Sequence, residues 1–181
     1  MRVLAIDPGT AKSAWVIFNT VTWTIEKKDI EKNEVVLACL RWVPMFNCDV
    51  LAIEKIEAMG MAVGGEVFET VYWSGRFHQR WLGGRQHNEQ HELSMDAILP
   101  QSPVVVRIPR REIKLHLCGS CRAKDPNVRQ ALMDKFGYER AVGTKTKPGP
   151  LYGIKSHLWS ALAVAVTYVE QNCAKPIEPT A

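Results

Sequence analysis

The chain lacks several features that would assign its class at once. No uninterrupted apolar run approaches the ~18 residues of a membrane-spanning helix, so no membrane partner is expected. The first residues run straight into a strand pattern, with no basic segment, apolar stretch and cleavage site, so nothing marks the chain for export. Cysteine is scarce and odd in number, five in 181 residues, which points to free thiols in a reducing compartment rather than a disulfide framework. Cys118 and Cys121 have zinc-ligand spacing with His116 close by, but no second CxxC or CxxH pair completes four ligands. The segment from His87 to His91 reads HNEQH, without the glutamate beside the first histidine that the HExxH zinc pattern needs.

What remains is ordinary in bulk and uneven in detail. Hydrophobic residues make up 46% and charged residues 23% of the chain, as in a soluble globular protein. Its length suits one domain with a full core, expected over residues 1–175 with a short tail at 176–181. The net charge of +4 is concentrated in one third of the sequence. Residues 1–100 hold 10 Lys/Arg against 13 Asp/Glu, whereas residues 101–160 hold 12 against 4. A polyanion-binding face would be distributed in this way, and so would a solvated basic surface.

The stretch MRVLAIDPGT carries the most chemistry. Arg2 to Ile6 read as a strand buried on both faces, ended by Asp7 and stopped by Pro8 and Gly9. An acid at the tip of a buried strand is costly without a cation beside it. A divalent metal would serve, as would nucleotide phosphates held with a metal by Gly9 and Thr10, and a plain turn cap is the remaining reading. Ser13 to Asn19 and Val21 to Lys27 then read as a tight antiparallel hairpin, making a three-stranded meander with the first strand. A helix capped by Asn33 is expected to run to about Trp42. Asp49 to Glu54 is a second apolar run ending in an acid, and after the helix it can return parallel to the first strand. Neighbouring strands lie about 4.8 Å apart, so Asp7 and Glu54 would come within reach of shared metal ions.

Glu66 to Leu82 has helical spacing, with Val67, Thr70, Val71, Ser74 and Phe77 on its packed face. Val104 to Ile108 is a fifth strand, followed by basic residues on a helix start at Pro109. A second helix starts near Asp125 and stops at Gly137. Tyr138 to Pro150, carrying Lys145 and Lys147, reads as a mobile loop able to lie along a phosphate backbone. The last helix spans Tyr152 to about Gln171, with one long apolar face and His157 near its start.

Taken in order, IDPGT, the strand-end IE at Glu54, a basic segment and a terminal HLWSALAVAV resemble the RuvC-like Holliday-junction resolvases of the RNase H-like superfamily, and among them the divergent resolvases of phages. The likeness runs over nearly the whole chain. It implies an α/β, RNase H-like fold, with a five-stranded mixed sheet (antiparallel meander 1–3 plus parallel 4 and 5) flanked by helices. It also implies a homodimer, branched DNA as partner, no nucleotide cofactor, and cytoplasmic location in a bacterium or an infected host. The implied activity is metal-dependent cutting of four-way junctions, with two Mg²⁺ or Mn²⁺ ions per site. Asp7 and Glu54 match the first two acidic ligands. Lys114 and Lys124 fall on the DNA-contacting segment, in which Arg110, Arg111, Arg122, Lys145, Lys147 and Lys155 are further candidates. Met59 and Met61 are the candidates for the wedge that parts bases, since no aromatic closely follows Glu54.

The terminal helix departs from the pattern. Where the family carries an Asp before its ALA-type run, this chain has Ser160; one turn earlier stands His157. Three outcomes stay open: His157 completes a catalytic and metal site with Asp7 and Glu54; Glu57, Glu66 or Glu69 substitutes; or the chain binds junctions while cutting them poorly or not at all. Sugar kinases and actin-like ATPases also open on a strand ending in DxGT, but they need two such domains and roughly twice this length.

Overall fold

A computed structural model describes residues 1–40, 47–58, 60, 62–89 and 104–173. Five strands form one sheet in the order β3-β2-β1-β4-β5, with β1 Arg2–Asp7, β2 Lys12–Asn19, β3 Thr24–Lys32, β4 Val50–Lys55 and β5 Val104–Pro109. β1 to β3 are antiparallel neighbours, while β4 runs parallel to β1 and β5 parallel to β4. The helices are α1 Asn33–Cys39, α2 Gly65–Glu89, α3 Arg110–Cys118, α4 Asp125–Lys135 and α5 Leu158–Asn172. This is the mixed α/β sheet that the sequence predicts.

β1 is apolar along its length because it is buried on both faces, and its alternating side chains feed two cores. Val3 and Ala5 join one core with Val50, Ala52, Ile108 and the helices α3 to α5. Leu4 and Ile6 join the other with Leu51, Ile53, Leu37 of α1 and Trp73, Phe77 and Trp81 of α2. α5 is buried at every position from Ala161 to Val169, not along one face as its spacing predicts. It lies between the sheet and the α3–α4 pair, and Ala161, Ala163 and Ala165 let neighbouring backbones approach closely.

Several boundaries differ from expectation for local reasons. β3 begins at Thr24 rather than Val21, because the Asn19 carboxamide accepts hydrogen bonds from the N–H groups of Val21 and Thr22 and folds them into a turn. Trp23, at φ +55°, closes that turn and packs on Phe18 and Phe136. Asn33 does not cap α1; it is fully buried and tied to the turn after Asp7. α1 ends at Cys39, and residues 41–46, where the expected helix continued, lie outside the described residues. On α2 the buried face is Trp73, Ser74, Phe77 and Trp81, while Val71 is exposed; rings four residues apart bury more apolar area than the β-branched set does. α5 starts six residues later than expected, since Gly153 and Ser156 adopt positive φ and break the helix before His157. The segment after Tyr138 folds on itself: Leu151 N–H donates to Ala141 O at 2.7 Å, Gly149 N–H to Val142 O at 3.0 Å and Thr144 N–H to Lys147 O at 2.9 Å. Met59, Met61 and the tail at 176–181 lie outside the described residues.

Candidate active site

The register of β1 on β4 pairs Ile6 with Ile53, so the next residues on the two strands are Asp7 and Glu54. Counting by two from Val3 and Val50 puts both acids on the α5 face of the sheet, because successive strand side chains alternate. The turn that ends β1 is held tightly. Ser13 Oγ accepts from Gly9 N–H at 3.3 Å and donates to Asn33 Oδ1 at 2.7 Å, and Asn33 Nδ2 donates to Gly9 O at 2.9 Å. A Cβ at Gly9 would strike the Lys12 carbonyl, so only glycine fits this close approach. The Gly9 amide and carbonyl are thus used internally, which removes them from the phosphate cradle considered for Gly9 and Thr10.

Asp7 and Glu54 are both buried, at 8% and 4% exposure. His157, at the start of α5, places Nδ1 3.1 Å from Asp7 Oδ2. Arg110 opens α3 directly after β5, two residues past Ile108, the register partner of Glu54. Its Nη1 donates to Glu54 Oε2 at 2.9 Å and to Ser160 Oγ at 3.3 Å, and its Nη2 donates to Asp125 Oδ1 at 2.7 Å. The Ser160 hydroxyl, besides accepting from Arg110, helps favour the charged form of Asp7.

The electrostatics follow from this crowding. Burial pushes the Glu54 carboxyl up to about 7, the negative charge of Asp7 adds to the rise, and Arg110 opposes it. Burial also raises the Asp7 pKa, against the pull of His157, Arg110 and Ser160. Asp125 goes the other way: burial works against its charge, but Arg110 and Lys114 outweigh it and lower its pKa. A cleft of about 190 Å³ opens beside Glu54, lined also by Glu57, Arg110, Arg111, Lys114 and Cys121 among others.

The remaining expected residues separate into groups. Arg111 and Lys114 line the cleft, with Arg111 Nε 3.3 Å from Glu57 and Lys114 Nζ 3.8 Å from Asp125. Arg122, Lys124, Lys145, Lys147 and Lys155 are exposed on the turn before α4, the loop after it and the approach to α5. Of the alternative acids, Glu57 is engaged by Lys55 at 2.8 Å and by Arg111, while Glu66 and Glu69 are exposed on the first turns of α2. Sequence reading missed Asp125 and the inward turn of Arg110. The second was signalled by position, since the residue just past a strand that pairs with β4 must lie near the end of β4.

Among the described residues, no three His, Cys, Asp or Glu side chains converge as a ready-made metal cage. Two desolvated carboxylates on neighbouring strands, with His157 beside one of them, nevertheless fit a hard divalent cation that keeps open coordination positions. Their raised pKa values arise first from burial, which disfavours a carboxylate whose neighbouring cations do not fully offset its lost hydration.

A mixed five-stranded sheet with an acid at the tip of β1, a second beside it on β4 and a buried helix over both is an α/β fold of the RNase H-like type. No protein-family model matches the chain, and no curated protein matches it in sequence. Solved structures do match. Thermus thermophilus RuvC is 18% identical with a TM-score of 0.59, covering 98% of this chain and 100% of its own. The same RuvC in complex with a Holliday junction substrate gives 19%, a TM-score of 0.60, and coverage of 98% and 99%. The yeast mitochondrial Holliday junction resolvase Ydc2 gives 11%, a TM-score of 0.55, and coverage of 92% and 77%. The chain therefore has the fold of the RuvC-like resolvases, as the sequence resemblance implies.

Proposed function

We propose that the chain is a divalent-metal-dependent endodeoxyribonuclease that resolves four-way DNA junctions as a homodimer of the phage kind. The observation that carries this reading is the pair of buried acids, Asp7 and Glu54, side by side at the ends of parallel strands, with Glu54 lining a basic cleft. Asp7, Glu54 and His157 would hold Mg²⁺ or Mn²⁺. Once bound, such an ion polarises the scissile phosphate and lowers the pKa of the attacking water. The chain supplies the rest. The Asn33–Ser13–Gly9 network fixes the direction of Asp7, His157 steadies the Asp7 carboxylate, and burial keeps bulk water off both acids. Arg111, Lys114, Arg122, Lys124, Lys145, Lys147 and Lys155 would contact phosphates of the junction arms, and Met59 and Met61 remain candidates for its wedge.

A second reading, a junction-binding protein that cuts poorly, is favoured by one observation: Arg110 already neutralises Glu54, and Ser160 offers no carboxylate. Synthetic four-way junctions and linear duplexes of the same sequence, incubated with Mg²⁺, Mn²⁺ or chelator, separate the two. Metal-dependent nicking of the junction alone supports the nuclease, whereas tight binding without nicking in either metal supports the binder.

A further inference from the structure

Arg110 occupies an unusual place for a cation in a site that would also hold metal. Its guanidinium reaches Glu54 and Ser160 through one nitrogen and Asp125 through the other, so its position is set from three elements. Asp125 is itself held by Lys114 from behind. The fork is only 32% exposed and borders the cleft where a phosphate would enter.

Donor chemistry limits what can share this space. Phosphodiester hydrolysis with two cations works by placing one at the attacking oxygen and one at the leaving oxygen, and each cation needs its own ligands. Asp7 and Glu54, with His157 beside Asp7, offer ligands for one ion at most. A second would have to take Glu54 from Arg110 and would find the neutral hydroxyl of Ser160 where it needs an acid. Charge points the same way. Asp7, Glu54, Asp125 and one phosphodiester carry four negative charges; one divalent ion, Arg110 and Lys114 carry four positive ones.

We propose that Arg110 takes the place of a second metal ion, so that each chain binds a single divalent cation and the guanidinium meets the phosphate on its other side. The inference rests on the nuclease reading above and deepens it. Arginine suits the role because its planar fork engages a carboxylate and a phosphate with fixed geometry and never loses its charge. The Ser160 hydroxyl, which accepts from Arg110 at 3.3 Å, then serves as a hydrogen-bond partner of the guanidinium.

The test is stoichiometry. The full, metal-free chain is titrated with Mn²⁺ alone and followed by calorimetry and by the electron paramagnetic resonance of free Mn²⁺. One ion per chain is expected, and none in Asp7→Asn. The double variant Arg110→Ala with Ser160→Asp is expected to bind two. Two ions on the native chain would overturn the inference and leave the metal-dependent reading standing; none at all would overturn both. A double variant that folds and still binds one would also overturn it. Arg110→Lys keeps the charge and the fold but loses the fork. It should still bind one ion and cut a four-way junction about a hundredfold more slowly, mostly through kcat. An unchanged kcat would remove Arg110 from the reaction.

Discussion

Glu54→Gln separates what the fold favours from what the site needs. The Glu54 side chain is almost fully buried, and its pKa stands at about 7 instead of the ordinary 4.5, through burial first and Asp7 second. Between those values the folded, metal-free chain holds a proton that the unfolded chain releases. Its stability must therefore fall as pH rises across that window and stay low above it. A difference of roughly 2.5 units, at about 1.36 kcal/mol each, amounts to about 3 kcal/mol. Glutamine keeps the shape of the side chain and an oxygen for the 2.9 Å bond from Arg110, without the charge. At about pH 8, in chelator, the variant should be more stable than the native chain by up to about 3 kcal/mol, with the gap closing towards pH 4.5. Junction cleavage should be lost. Urea unfolding midpoints measured across that range, with equal slopes, give the comparison. A native chain whose stability climbs between pH 5 and 8, or a variant less stable at the upper end, would refute the reasoning.

Other consequences are simpler. Leu162→Ala removes a fully buried side chain from the middle of α5 and should cost about 2–5 kcal/mol in denaturant unfolding. Replacing Lys145 and Lys147 together by Ala should weaken junction binding evenly across sequences and flatten the slope of log affinity against log salt by about two, as fluorescence anisotropy would read it. An unchanged slope would take that loop off the DNA.

The strands were legible because burial writes itself into them directly. Arg2 to Asp7 and Val50 to Glu54 are apolar runs closed by acids, and the helix between them forces a parallel return, so the pairing of Ile6 with Ile53 follows from pattern and handedness. Asp7 and His157, 150 residues apart, meet at 3.1 Å because the last helix has to cover the same sheet face on which Asp7 lies. What escaped reading was set by single side chains acting at a distance. Asn33 looks like a helix cap, and only the fold shows that its amide is spent on the Gly9 turn. Val21 to Trp23 have strand composition, yet the Asn19 side chain captures their backbone. Arg110 sits in a basic run with the composition of a DNA-facing surface. Its inward turn depends on Asp125, an acid fifteen residues away that composition gives no reason to pair with it.

The account stands most directly on Asp7. Native chain and Asp7→Asn should be compared on one labelled four-way junction, measuring nicking with Mn²⁺ and binding in chelator side by side. Asparagine keeps the size of the side chain while removing the charge, so binding should stay within about threefold and nicking should drop by at least about a thousandfold. An Asp7→Asn chain that nicks at the native rate would contradict the assignment of the strand-end acids as the reaction centre.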